Sequence, residues 1–136
     1  MTWRKINSQK LAKPFGVFSQ GVKWISKNET FIFISGMTSK DKNGQVVGVG
    51  DIKKQTIQAM ENIKEVLSET HGNIEDIVKV TVYVKDINYL KEIHEIRSRY
   101  WKDSNRYPAS TLIEVSRFVN DEYMIEIEAI AIIKNT

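Results

Sequence analysis

Between Val78 and Val84 every second residue is a valine. A period of two sends alternate side chains to one face, the mark of a strand with one buried side. The run Ile77 to Val84 is therefore the clearest strand in the chain. Val17 to Ser26 and Thr30 to Ser35, rich in β-branched and aromatic residues, predict two more strands around a turn at Lys27-Asn28-Glu29. The period then changes. Ile52, Met60, Ile63, Val66 and Leu67 share one stripe of a helix that opens on Asp51 as N-cap, reaches His71 and is terminated by Gly72. A second helix is expected from Asp86 to about Trp101, with Leu90, Ile93 and Tyr100 inward. Two strands follow, about Thr111 to Phe118 and Tyr123 to Ile133, with a turn at Asn120-Asp121.

The predicted order is β-β-α-β-α-β-β within a single domain over residues 1–136. One mixed sheet with both helices packed on one face satisfies it, an α/β (α+β) arrangement. The opposite face then has no helix to cover it, yet several of its strand positions are apolar. Self-association through that face is expected, because a large apolar surface is rarely left in water.

Composition narrows the function classes. The 136 residues are 41% hydrophobic and 27% charged, with a net charge of +3, as in ordinary globular proteins. The basic residues are scattered among acidic ones, so a nucleic-acid partner is not expected. The longest apolar run, Ala129 to Ile133, is far too short for a membrane span, and the N-terminus lacks a secretory pattern. A cytoplasmic location is the default expectation. Cysteine is absent, and His71 and His94 are the only histidines, so no metal site is expected.

No phosphate loop, HExxH pair or GxSxG elbow is present. Two features carry candidate chemistry. Glu126 and Glu128, two apart on a strand, share a face that Ile130 and Ile132 continue as apolar. A carboxyl half-buried there has a raised pKa and can act as a general acid or base. Ser35-Gly36 at a strand end offers backbone N–H groups where glycine permits close approach.

Several motifs in one order then resemble the Rid (reactive-intermediate deaminase, YjgF-like) family over nearly the whole chain. They are Phe18-Ser19-Gln20; Phe33-Ile34-Ser35-Gly36; Gln55 and Asn62 in QTIQAMENIKEVL; Gly72 with Asp76 to Asp86; Tyr107-Pro108-Ala109; and Ile125 to Ala131. The resemblance implies a chorismate-mutase-like fold, a homotrimer with small-molecule pockets between subunits, no cofactor, and hydrolysis of an enamine or imine such as 2-aminoacrylate to a keto acid and ammonia. It maps the glutamate beside the attacking water onto Glu126. It also implies a pocket built from Phe18, Ser35, Gly36, His94, Ser110, Leu112 and Glu126.

The chain departs from the family where an arginine, which grips the substrate carboxylate, should follow Pro108-Ala109: it has Ser110. A hydroxyl carries no charge. Losing a charge-assisted pair costs on the order of 1.5–3 kcal/mol, more than tenfold in affinity. Phe18 also stands where tyrosine is usual, and His94 where asparagine is usual. The leading expectation is hydrolysis of an imine less dependent on an anionic anchor; the alternative is metabolite binding without turnover, and RNA binding or cleavage, ascribed to some relatives, ranks last. Neither Arg106 nor Arg117 is placed to replace the missing cation, and His94 is expected near the inward stripe of its helix.

Overall fold

The computed structural model describes residues 2–136. Its strands are β1 (Thr2–Ile6), β2 (Gly21–Ile25), β3 (Glu29–Met37), β4 (Ile77–Val84), β5 (Ala109–Glu114) and β6 (Ile125–Lys134). Its helices are α1 (Ile52–Ser68), between β3 and β4, and α2 (Leu90–Tyr100), between β4 and β5. The strands form one mixed sheet in the order β1-β2-β3-β6-β4-β5. Only β4 and β5 run parallel, joined through α2 as a parallel pair requires.

The sheet has one strand more than the sequence pattern predicts. β1 alternates poorly: Trp3 and Lys5 share the face of Val22 and Trp24, while Ile6 alone of its residues is buried. Pairing with β2 makes it a strand, and that partner is invisible to local periodicity. Residues 17–20, expected in the following strand, form a loop instead.

α1 takes the predicted stripe to the sheet. Met60, Ile63, Val66 and Leu67 are fully buried and join Ile32, Ile34, Val80, Val82, Val84, Ile125, Ile127, Ala129 and Ala131 in one core, with Ile93 from α2. Asp51 caps α1, its side chain accepting from the Lys54 N–H at 3.1 Å. At the other end it is His71, at φ 61°, that takes the left-handed position, and the Gly72 N–H closes onto the Leu67 carbonyl at 3.0 Å. A Cβ at Gly72 would lie 2.6 Å from Ile133 Cδ1, the tip of a side chain that would have to turn aside.

Two other expectations change. The β4 register against β6 shifts between Ile77 and Lys79, so Ile77 is buried and Val78 is exposed, which breaks the valine alternation at its first member. Asp86 caps a 3-10 turn at Ile87–Tyr89 rather than α2 itself, and the inward residues of α2 are Ile93, Ile96 and Arg97, with Leu90 exposed.

The face of the sheet away from the helices is open. Trp3 lies opposite Trp24, Trp24 opposite Phe31 and Val22 opposite Phe33, and β6 adds Ile132 and Ile130 beside those phenylalanines. Glu126 and Glu128 continue that face of β6. Among the described residues, no helix is long and apolar enough to cross a membrane.

Candidate active site

β3 ends in an irregularity against β6 between Ile34 and Met37, and Ser35 and Gly36 sit within it. The Ser35 hydroxyl donates to the Ser19 carbonyl at 2.6 Å, and its N–H donates to the Gln20 carbonyl at 2.9 Å. Buried Gln20 then holds the preceding loop: its amide donates to the Ser8 and Ala12 carbonyls and accepts from the Ser8 N–H. The loop so fixed roofs a cavity of about 340 Å³ whose walls include Leu11, Pro14, Phe18, Ser35, Gly36 and Glu126. Phe18 stands edge-on to Phe15, with ring centroids 5.3 Å apart, and Lys40 Nζ lies 4.4 Å from the Phe15 ring centre.

Gly36 sets the position of Glu126. A Cβ at residue 36 would lie 2.7 Å from Glu126 Cδ and 2.8 Å from its Oε2, so the carboxyl rests directly on the glycine backbone. Burial raises the Glu126 pKa, and the nearby Glu128 carboxylate raises it further. Glu128 itself accepts a short hydrogen bond from the Tyr83 hydroxyl. Among the described residues Glu126 makes no hydrogen bond, which leaves both of its oxygens available to a molecule in the cavity. A half-buried carboxyl of raised pKa in such a place is a stronger base than an exposed one and can take a proton from a water in the cavity.

The remaining predicted residues lie elsewhere in the protomer. Ser110 is opposite Val80 in the parallel pairing, so its side chain is on the helix-facing side of β5, not on the Glu126 side of the sheet. It lines a second cavity, of about 360 Å³, with His94, Arg97, Ser98, Trp101 and Tyr107. His94 is exposed at that rim instead of turned inward, because Ile93, Ile96 and Arg97 occupy the buried stripe. Leu112, opposite Val82, packs against the core and borders neither cavity. One chain thus brings Phe18, Ser35, Gly36 and Glu126 together, and separately His94 with Ser110.

Arg97 is the residue the sequence pattern misses. Its Nη2 donates to Ser110 Oγ at 3.2 Å, and its guanidinium lies 5.7 Å from the Trp101 ring centre. The arginines considered from sequence are engaged elsewhere: Arg106 donates to the Glu75 carbonyl and Arg117 reaches Asp121 at 3.9 Å. The one available signal was an arginine four residues after Ile93, within the apolar stripe of α2.

Gln55 and Asn62 prove to be braces. Gln55 donates to the Gly48 and Glu122 carbonyls and accepts from the Met124 N–H, fixing the chain just before Glu126. Asn62 donates to the Thr38 and Lys40 carbonyls, holding the segment that follows Gly36. Their spacing of seven puts both on one face of α1. Among the described residues no group of three or more carboxylates and histidines is placed to hold a metal ion.

A family model described as Endoribonuclease L-PSP matches residues 8–133. A RutC family protein of Pyrococcus abyssi is 41% identical over 126 residues, covering 93% of this chain and 94% of the relative. Among solved structures, the Rid-family protein YyfA of Yersinia pestis superposes with a TM-score of 0.86 at 28% identity, covering 96% of this chain and 98% of that one. The YjgF gene product of E. coli gives 0.81 at 29% identity, covering 94% and 97%.

Proposed function

The chain belongs to the endoribonuclease L-PSP family, which includes the RutC, Rid and YjgF proteins, and from that premise we propose that it hydrolyses a small imine, or the enamine that tautomerises to one, in a pocket completed between subunits. The observation that carries this reading is the Glu126 carboxyl, set on the Gly36 backbone in a cavity wall, with burial raising its pKa.

The chemistry needs little else. Glu126 takes a proton from water as the oxygen attacks the imine carbon, and the C=N π electrons move to nitrogen. The proton now on Glu126 goes to that nitrogen. Glu126 then takes the hydroxyl proton of the carbinolamine and delivers it to the nitrogen, so the C–N bond breaks with ammonia leaving as the carbonyl forms. A base positioned in this way contributes typically 10²–10⁴-fold. Glu128, which accepts from the Tyr83 hydroxyl, lies close enough to help raise the Glu126 pKa.

The pocket is assigned to an interface because Glu126 and Ser110 are on opposite faces of the sheet, separated by β4. A second copy would bring its Ser110 side to the first copy's Glu126 side, and the open apolar face supplies the adhesive surface for such an assembly.

The test is a panel of imines generated in solution, including 2-aminoacrylate, bulkier imines and neutral ones, with carbonyl product followed over time. Acceleration of at least one by the native protein is expected, with a fall of about 10²-fold or more in Glu126→Gln. If no imine responds, or if Glu126→Gln is as fast as native, hydrolysis is rejected. An RNA arm belongs in the same panel, given the family model's description. Cleavage that survives purification and disappears in Glu126→Gln would put RNA in place of the imine.

A further inference from the structure

We propose that Tyr83 is a positioning residue for Glu126: by donating to Glu128, its hydroxyl decides which of the two carboxyls keeps its charge and which carries the proton. The ground is the register of β4 on β6. Tyr83 stands directly opposite Glu126, and Thr81 stands opposite Glu128. Side chains directly opposite on an antiparallel pair are nearest neighbours, while diagonal ones are about 7–8 Å away and still within reach of an aromatic ring. The Tyr83 hydroxyl passes over the residue it faces and donates to Glu128 Oε1 on the diagonal. Glu126 is left on the Gly36 backbone in the cavity wall.

The choice of acceptor matters because the two carboxyls are coupled. Two residues apart on a strand, they lie about 7 Å from each other along one half-buried face. Like charges at that range disfavour one another, so a proton belongs to the pair before it belongs to either member. A donated hydrogen bond favours the charged form of the group that accepts it. Tyr83 gives that bond to Glu128, while burial acts against charge on Glu126. The proton is thereby directed to Glu126, which lines the cavity, and the charge to Glu128, which does not. Environments that separate two carboxyls in this way assign the acid and base roles of a site.

Tyr83 is suited to the part. Its own pKa is raised, first by the bond to Glu128, so it stays a donor through the whole range in which glutamates titrate. The cations of this face are engaged elsewhere: Lys79 donates to the Val80 carbonyl and the Thr111 hydroxyl, and Lys85 reaches the Asp121 carbonyl at 3.4 Å. The adjoining parts of β3 and β5, Ser35 to Met37 and Thr111 to Ile113, carry no charge. Across the cavity the ionisable groups are Lys13, Tyr123 and Lys40, the last resting on the Phe15 ring. A second copy seated on the open face would take water from the pair and strengthen its coupling.

Carbon-13 NMR of the glutamate side-chain carboxyls reads the pair without any substrate, the two signals being assigned by their loss in Glu126→Gln and Glu128→Gln. In the native protein the Glu126 signal should titrate above the ordinary glutamate range. In Tyr83→Phe, which keeps the ring and removes only the hydroxyl, it should titrate at lower pH, because Glu128 no longer holds its charge as firmly. Glu128→Gln should lower it as well. Adding Tyr83→Phe to Glu128→Gln should change nothing further, since the hydroxyl acts through that carboxyl. The kinetic arm rests on the imine hydrolysis proposed above. There the acid limb of the pH profile should move to lower pH in Tyr83→Phe, with KM unchanged and a reduced plateau rate, because a weaker base accepts a proton less readily. The role is overturned if either Tyr83→Phe or Glu128→Gln leaves the Glu126 titration where it was, or if Tyr83→Phe shifts it equally with and without Glu128. An unmoved titration in Tyr83→Phe, beside loss of turnover in Glu126→Gln, would remove this inference and keep imine hydrolysis. A titration that moves as described in a protein that turns over no imine would do the opposite.

Discussion

At position 36 a single hydrogen in place of a methyl group decides where Glu126 can lie. In Gly36→Ala the new Cβ, 2.7 Å from Glu126 Cδ as the backbone stands, must push either the carboxyl or the strand end aside. The atoms it meets are the end of a flexible side chain, so the carboxyl is the part that yields, and we expect most of the imine turnover to be lost with little change in melting temperature. Glu126 also has a pH signature. Its folded-state pKa is raised, so the folded protein holds this proton more tightly than the unfolded chain, where the value is about 4.3. The stabilising contribution of the protonated form is complete below about pH 4.3 and is lost as pH rises through the folded value. Glu126→Gln should therefore be more stable than native at neutral pH, with the gap closing in acid; urea titrations at several pH values measure it. A gap that widened in acid would mean that the carboxylate, not the acid, is favoured by folding. Glu126 was legible in the sequence because strand alternation places it and the apolar Ile130 and Ile132 reveal its half-buried face. Arg97 was not, since its importance lies in reaching from α2 to Ser110 on β5, a contact between elements that no local period records.

At the scale of elements, the two amides of α1 hold together what the core does not. Gln55 satisfies the Gly48 and Glu122 carbonyls and the Met124 N–H from a fully buried position. Gln55→Ala strands those backbone groups, and leaving buried groups unsatisfied costs about 1–3 kcal/mol each. A fall of roughly 2–4 kcal/mol in unfolding free energy is expected from urea denaturation, with imine turnover impaired as well because residues 122–124 lead into Glu126. Equal stability with unimpaired turnover would show that these loops are fixed by other means. The helices themselves were readable because long stripes and an Asp51 cap act locally. The misses share a cause. β1 exists through pairing with β2, the valine run is interrupted where β4 meets β6, and the loop of residues 17–20 is drawn off the sheet edge by Gln20. Each is a contact between distant residues overriding local preference.

At the scale of the molecule, two faces of one sheet have opposite fates. The helix side is closed by one continuous core, while Trp3, Trp24 and Phe33 leave the other side apolar and exposed. A charge placed among them should be tolerated by the protomer and resisted by an assembly. Phe33, 46% exposed, is the position to alter. Phe33→Glu is expected to reduce the molar mass in light scattering to that of one chain while retaining the native circular dichroism. A mass of several chains for Phe33→Glu would move the proposed interface to another surface.

The placement of Glu126 and Ser110 on opposite faces also turns the active unit into a matter of genetics as much as geometry. If every pocket draws its carboxylate from one copy and its Ser110 wall, with Arg97 behind it, from the neighbour, two individually impaired proteins should partly rescue each other. Co-refolding equal amounts of Glu126→Gln and Arg97→Gln would assemble pockets at random, and about one in four would combine two intact halves. Turnover by the mixture would then exceed that of either impaired protein alone, and a cell carrying both altered alleles would keep more of the reaction than a cell with either one.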